Sequence, residues 1–256
     1  MNLVDEFLNT GKKKLAILVD PDKKQSPEEF EQFAKKVNAV KPDFIFVGGS
    51  TVSAEDFNQC FDLLKNSISD IPLIIFPGGH HQINEKADGI LFLSLLSGRN
   101  PDFLIGHQVQ SAHLLRKMDI ETIPTAYLLI DGGKVSSVSY VSQTTPIPND
   151  QDTIAVNTAI AGEMMGFKAI FLDAGSGALT SVPCPMISAV KKNITVPLII
   201  GGGIRSIQAI ENCYEAGADI VVIGNKIEED ADFLLDLKNY FSQIRNPLHQ
   251  KIRIKE

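Results

Sequence analysis

The chain has 256 residues, 44% of them hydrophobic, which suits one large domain or two small ones around a sizeable core. Its 24 basic and 31 acidic residues leave a net charge of −7, which argues against nucleic acid or an anionic membrane as the main partner, because both select concentrated positive charge. Cys60, Cys184 and Cys213 have no CxxC spacing and read as reduced core thiols; with a polar stretch over residues 1–14 and no apolar run of about eighteen residues, the chain reads as cytoplasmic and without a membrane span.

Short, almost wholly apolar runs recur along the chain, as expected of strands buried on both faces. The first covers residues 15–20. Ser26, Pro27 and Glu29 then form a capping box that opens a helix over 26–40, with Phe30, Phe33, Ala34 and Val37 on one face. A second run at 44–47 precedes another cap, Ser53 with Asp56, and a second helix. After the run at 73–76 comes Pro77-Gly78-Gly79-His80-His81, which is loop chemistry, so the third connection is expected to be irregular. Beyond it, runs at 90–95, 124–130, 169–174, 197–200 and 219–224 alternate with helical spacing at 101–117, 150–166, 185–192, 206–216 and 230–244. Eight strands alternating with about seven helices predict an α/β fold, a single-domain (β/α)8 barrel of the TIM type with its core over about residues 14–245. A doubly wound open sheet is the runner-up, disfavoured because no GxGxxG follows the first run and no linker divides the chain.

In such a barrel, chemistry sits where strands end and loops begin at the C-terminal face. Asp173-Ala174-Gly175-Ser176-Gly177 follows strand six, Gly201-Gly202-Gly203-Ile204-Arg205-Ser206 follows strand seven, and Gly224-Asn225 follows strand eight. Glycines let backbone N–H groups approach an anion, and helix N-termini add partial positive charge, so these consecutive loops read as a phosphate cradle. At the first two strands, Asp20 ends one apolar run and Ser50 stands behind Gly48 and Gly49 at the end of the next. A carboxylate and a hydroxyl suit a hard cation such as Mg²⁺; Asp20 as a helix cap or as a partner of Lys23 is the equal alternative. The two anion sites are expected on opposite sides of the barrel mouth, with Phe76, Leu91, Phe92, Leu93, Leu95, Leu96, Tyr127 and Leu128 supplying an apolar groove between them.

These motifs resemble the geranylgeranylglyceryl phosphate synthases and the related heptaprenylglyceryl phosphate synthases, in the branch with Asp-Pro-Asp-Lys after the first strand. The resemblance covers about residues 14–227. It rests on Val19-Asp20-Pro21-Asp22-Lys23, Val47-Gly48-Gly49-Ser50-Thr51, Leu93-Ser94-Leu95-Leu96-Ser97-Gly98-Arg99-Asn100-Pro101, Phe103-Leu104-Ile105-Gly106, Ala161-Gly162-Glu163, the three glycine loops and Gly217-Ala218-Asp219. It implies a prenyltransferase that joins sn-glycerol 1-phosphate to a polyprenyl diphosphate in the first ether-bond step of archaeal-type lipids. It further implies Mg²⁺ at Asp20 and Ser50, and glycerol phosphate along Phe171, Leu172, Asp173, Ala174, Gly175, Ser176, Gly177, Gly202, Gly203, Gly224 and Asn225. A homo-oligomer, dimer or hexamer, and transient contact with a membrane that supplies the donor, are also implied.

The chain departs from the family where the motif reads Tyr-Leu-Glu and this sequence has Phe171-Leu172-Asp173. An alcohol adding to an allylic carbon must lose its proton, and Asp173 keeps the carboxylate for the base. Arg99 is a weaker candidate for the diphosphate. His80 and His81 could sit near the donor, although adjacent histidines in a Gly/Pro loop are more often simply solvent-exposed; His107 and His113 read as helix-surface or packing residues, and the basic stretch over 251–255 as a solvated terminus. Two other functions fit the cradle alone: a sugar-phosphate isomerase or lyase, and a non-catalytic phosphate-binding descendant.

Overall fold

A computed structural model describes residues 3–23 and 26–245; the basic stretch at 251–255 lies outside them. Among the described residues, eight strands close a parallel barrel in chain order. They are β1 (Lys14–Val19), β2 (Phe44–Val47), β3 (Leu73–Ile75), β4 (Gly89–Leu95), β5 (Glu121–Leu129), β6 (Ala169–Asp173), β7 (Leu198–Gly201) and β8 (Ile220–Ile223). Closure is made by β1 pairing with β8, Leu15 opposite Val221. The apolar runs are continuous because both faces are covered. On β6, Ala169 and Phe171 fill the barrel interior while Ile170 and Leu172 pack outward beneath the helices.

The helices follow their caps. α2 (Pro27–Val40) begins with the capping box: Ser26 Oγ accepts the Glu29 N–H at 3.2 Å and Glu29 Oε2 accepts the Ser26 N–H at 2.8 Å. α3 (Ala54–Ser67) begins at Ser53. No helix joins β3 to β4, as the Pro-Gly-Gly-His-His loop predicts. The helix expected over 101–117 is instead a π-helical turn, Asp102–Gly106, followed by α4 (His107–Leu115). Short α5 (Ser137–Ser142) and α9 (Asn225–Glu229) carry too few residues for a periodic signal. α6 (Asp152–Met164), α7 (Cys184–Lys191), α8 (Ile207–Ala216) and α10 (Phe233–Ile244) lie within a residue or three of the predicted spans.

The polar N-terminal stretch hides a plug. α1 (Leu3–Leu8) lies under the barrel and drives Phe7, fully buried, against Phe44 with ring centroids 5.2 Å apart. Lys14 Nζ, at the floor of the barrel, donates to the Phe7 carbonyl at 3.0 Å and to the Asn9 carbonyl. Burial lowers the pKa of that lysine, partly offset by Asp219 and Asp43. The floor is thereby sealed, and chemistry is confined to the other end. Among the described residues no helix is long and apolar enough to cross a membrane.

Candidate active site

Asp173 is the last residue of β6 and is only 8% exposed. Its Oδ2 accepts the Tyr127 hydroxyl at 2.6 Å and its Oδ1 accepts the Gly175 N–H at 2.8 Å. Burial pushes its carboxyl above the usual carboxylate range, while the bonds from Tyr127 and Gly175 pull it part of the way back. The Tyr127 phenol moves in the other direction: burial, then the neighbouring Asp173 charge, raise it well above its ordinary value. Sequence reasoning placed Tyr127 in an apolar groove and missed this bond. The only available signal was the loss of the motif tyrosine at Phe171, a ring that packs edge-on to Tyr127 at 5.4 Å.

The glycine loops come together as predicted. Gly202 has φ +79°, and a Cβ there would stand 2.6 Å from Asp173 Oδ1 and 2.7 Å from the Gly175 nitrogen. Only glycine lets the β7 loop close on the β6 loop in this way. The side chain of Asn225, at the start of α9, ties the third loop in: its Oδ1 accepts the Gly177 N–H at 2.7 Å and the Ser176 hydroxyl at 3.3 Å. Its amide donates to Glu228 at 3.2 Å. Leu172, by contrast, has its side chain in the outer layer, so any part it plays is through its backbone.

The carboxylate and hydroxyl of the first two loops are neighbours too. A Cβ on Gly49 would lie 2.5 Å from Asp20 Oδ1, so the β2 loop passes directly over the Asp20 carboxylate with Ser50 next in line. Asp20 Oδ1 accepts the Asp22 N–H at 3.1 Å, and Thr51 donates to Asp22 at 2.6 Å, binding the two loops together. Burial raises the pKa of Asp20. It makes no ion pair among the described residues, and no group of three His, Cys, Asp or Glu gathers there. A half-buried carboxylate without an ion pair among the described residues, offset only by the more distant Lys23 charge, lines one pocket with Ser50, and a carboxylate with a hydroxyl is a hard-oxygen set that fits Mg²⁺.

The two sites are adjacent, not opposite. In the closed barrel that the sequence predicts, β1 is the neighbour of β8, so the loops after β8 and β1 lie side by side, and a Cβ on Gly224 would meet Leu18 at 3.4 Å. One pocket accordingly runs from Asp20 and Ser50 past Gly202, Asn225 and Asp173, over Phe76, Leu91 and Tyr127, and on to Phe103, His107 and Val141. Phe92, Leu93 and Leu95 also line it, whereas Leu128 is in the outer layer. His80, an exposed loop residue, reaches this wall, and His107, read as a helix-surface or packing residue, reaches it too. The π-helical turn rotates His107 inward, where its Nδ1 lies 3.4 Å from His80 Nδ1 and its ring meets Phe103 edge-on at 4.8 Å. Desolvation, then His80, lowers the pKa of His107. Arg99 is exposed and outside the pocket, its guanidinium donating to the Gly98 carbonyl at 2.6 Å.

Comparison with known proteins agrees with this geometry. The model of the PcrB family matches residues 9–239. A geranylgeranylglyceryl phosphate synthase of Chitinophaga pinensis is 47% identical over 228 residues, 89% of each chain. One of Methanosphaera stadtmanae is 39% identical over 238 residues, 92% of this chain and 96% of that one. The crystal structure of (S)-3-O-geranylgeranylglyceryl phosphate synthase from Thermoplasma acidophilum, in complex with substrate sn-glycerol-1-phosphate, superposes with a TM-score of 0.85. It is 34% identical, covering 93% of this chain and 96% of that one. A family match over residues 9–239, relatives 39–47% identical over most of the chain and a solved structure with a TM-score of 0.85 make this chain a prenyltransferase that belongs to the PcrB family, among the geranylgeranylglyceryl phosphate synthases.

Proposed function

We propose that the chain joins the hydroxyl of sn-glycerol 1-phosphate to the allylic carbon of a polyprenyl diphosphate and releases diphosphate, with Mg²⁺ held at Asp20 and Ser50. The observation that carries this is the continuity of one pocket, in which the Asp173 carboxylate stands between a backbone-amide cradle, a hard-oxygen pair and an apolar wall. Isomerase and lyase chemistry fits less well, because what faces Asp173 from β5 is a tyrosine hydroxyl and not a second carboxylate.

The loops after β6, β7 and β8 hold the acceptor's phosphate through N–H groups, which places its hydroxyl beside Asp173 and makes the reaction effectively intramolecular. Mg²⁺, when bound, stabilises the negative charge that develops on the departing diphosphate. As the new C–O bond forms and the bond to diphosphate breaks, the hydroxyl proton passes to the Asp173 carboxylate. Burial makes Asp173 a stronger base than an exposed aspartate, and the bonds from Tyr127 and Gly175 fix where its oxygens point. Phe76, Phe171 and Leu91 keep water, the competing nucleophile, away from the allylic centre.

The test is incubation of the purified protein with labelled sn-glycerol 1-phosphate and prenyl diphosphates of several lengths. Labelled ether is expected with at least one donor, abolished by a chelator and restored by Mg²⁺. Absence of ether with every donor, at every Mg²⁺ concentration, would reject the proposal.

A further inference from the structure

The cradle built by the glycine loops is uncharged, yet it is to hold a dianionic phosphate monoester beside three carboxylates, Asp20, Asp173 and Glu228, that line the same pocket. Backbone N–H groups supply only partial charges, so a full positive charge near the cradle would matter. Two of the cations borne by the loops after β7 and β8 are already neutralised. Arg205 pairs with Glu229 at 2.7 Å and Lys226 with Asp230 at 2.8 Å. A third comes from an element that lies outside the glycine loops.

The loop between β5 and α5 is docked on the β6 loop. The Gly132 carbonyl accepts the N–H groups of Leu179 at 2.8 Å and Thr180 at 3.2 Å, and a Cβ on Gly132 would press 2.5 Å from the Ala174 carbonyl oxygen. Two residues on, Lys134 extends over Gly177: its Nζ lies 2.8 Å from where a Cβ of Gly177 would stand. Lys134 is exposed and has no carboxylate partner among the described residues. Asp131, the acid in the same loop, directs Oδ1 to the Gly133 N–H at 2.9 Å. Among the described residues the ammonium thus has no ion-pair partner, and it is held at the outer rim of the cradle, beside Gly177 and outside the lining of the pocket, by a loop fastened to the β6 loop.

We infer that Lys134 is a substrate-binding residue that caps the phosphate of the acceptor, supplying the charged hydrogen bond that the glycine loops cannot. This rests on the acceptor's phosphate occupying the cradle, as proposed above. An ammonium–phosphate bond of this kind is short and stronger than a neutral one. It also divides the charge work in the pocket: the divalent cation serves the donor's diphosphate, and Lys134 serves the acceptor.

The test measures equilibrium binding of inorganic phosphate and of sn-glycerol 1-phosphate to the wild type, Lys134→Met and Lys134→Arg, together with KM for both substrates. Lys134→Met should weaken binding of both anions by about tenfold or more and raise the acceptor's KM without raising the donor's; Lys134→Arg should restore most of the affinity. Binding that is unchanged in Lys134→Met would overturn the inference. A wild type that binds phosphate through Lys134 but forms no ether would overturn the proposed reaction and leave the role of Lys134 standing. A wild type that binds neither anion would overturn both.

Discussion

The aromatic rings inside the barrel run from one end to the other, joined where Phe46 meets Phe76 at 6.3 Å, and the two ends do different work. At the floor, Phe7, Phe44 and Phe46 pack with centroids 5.2 to 6.4 Å apart. At the mouth, Phe76, Tyr127 and Phe171 pack just as closely, 5.4 to 6.1 Å apart. Ring spacing hardly separates them, although Phe76 at the mouth is only partly buried and the floor rings are fully so. The difference is the polar group each encloses. The floor's Lys14 is spent on main-chain carbonyls of α1 and so is structural. The mouth's Asp173 accepts two hydrogen bonds and still faces the pocket, so its charge is available to a substrate. A buried ionisable group becomes functional when its surroundings orient it without consuming it.

The sharpest break in that comparison is Asp173→Asn. It keeps the size of the side chain and an oxygen that can accept from Gly175, but removes the carboxylate proposed as the base. Turnover should fall by about 10² to 10⁴-fold, while binding of sn-glycerol 1-phosphate, measured by calorimetry, changes little. Unchanged turnover would place the base elsewhere. The matching change at the floor is Phe7→Ala. Here the expected loss is in stability, about 3–5 kcal/mol by urea denaturation, since a fully buried ring is removed from a closed end. The kinetic constants of the folded protein should be unaltered. A kinetic effect without a stability effect would mean that the floor is coupled to the site.

The sequence announces these two ends unequally. Strands are legible because burial on both faces forces continuous apolar runs, and the glycine loops are legible because backbone conformation is written in residue type: Gly202 stands where a Cβ would strike Asp173. Asp20, Ser50 and Asp173 are legible as carboxylate and hydroxyl groups at strand ends. What is hidden depends on contacts between distant segments. Phe7 reads as one apolar residue in a polar stretch, and only the barrel beneath which α1 lies makes it a plug. Tyr127 meets Asp173 across 46 positions. His107 is hidden for a local reason, since a π-helical turn adds a residue and rotates everything after it by about 100°, so that a face counted at 3.6 residues per turn points the wrong way. The adjacency of the first and last loops is legible, since it follows from the predicted closure of β1 on β8.

Tyr127→Phe sharpens the comparison with the smallest change, one oxygen. The ring remains, so the mouth becomes as apolar as the floor apart from Asp173 itself. The hydroxyl donates to the carboxylate and so favours its charged form, holding the pKa below where burial alone would put it. Removing it raises the Asp173 pKa further. With Asp173 as the proposed base, catalysis needs the deprotonated carboxylate, so activity should be lost as pH falls through that pKa, and the acid limb of the pH–rate profile should move to higher pH in Tyr127→Phe. On the plateau above the limb the variant should retain much of the wild-type rate, because the base is still present and Gly175 still orients it. The buried oxygen left without its donor should also cost about 1–3 kcal/mol of stability. That loss alone would not move the limb, which is why the pH profile is the decisive measurement. An acid limb that stays in place, or moves to lower pH, would show that the hydroxyl does not tune the base and that the mouth's aromatic cluster, like the floor's, only packs.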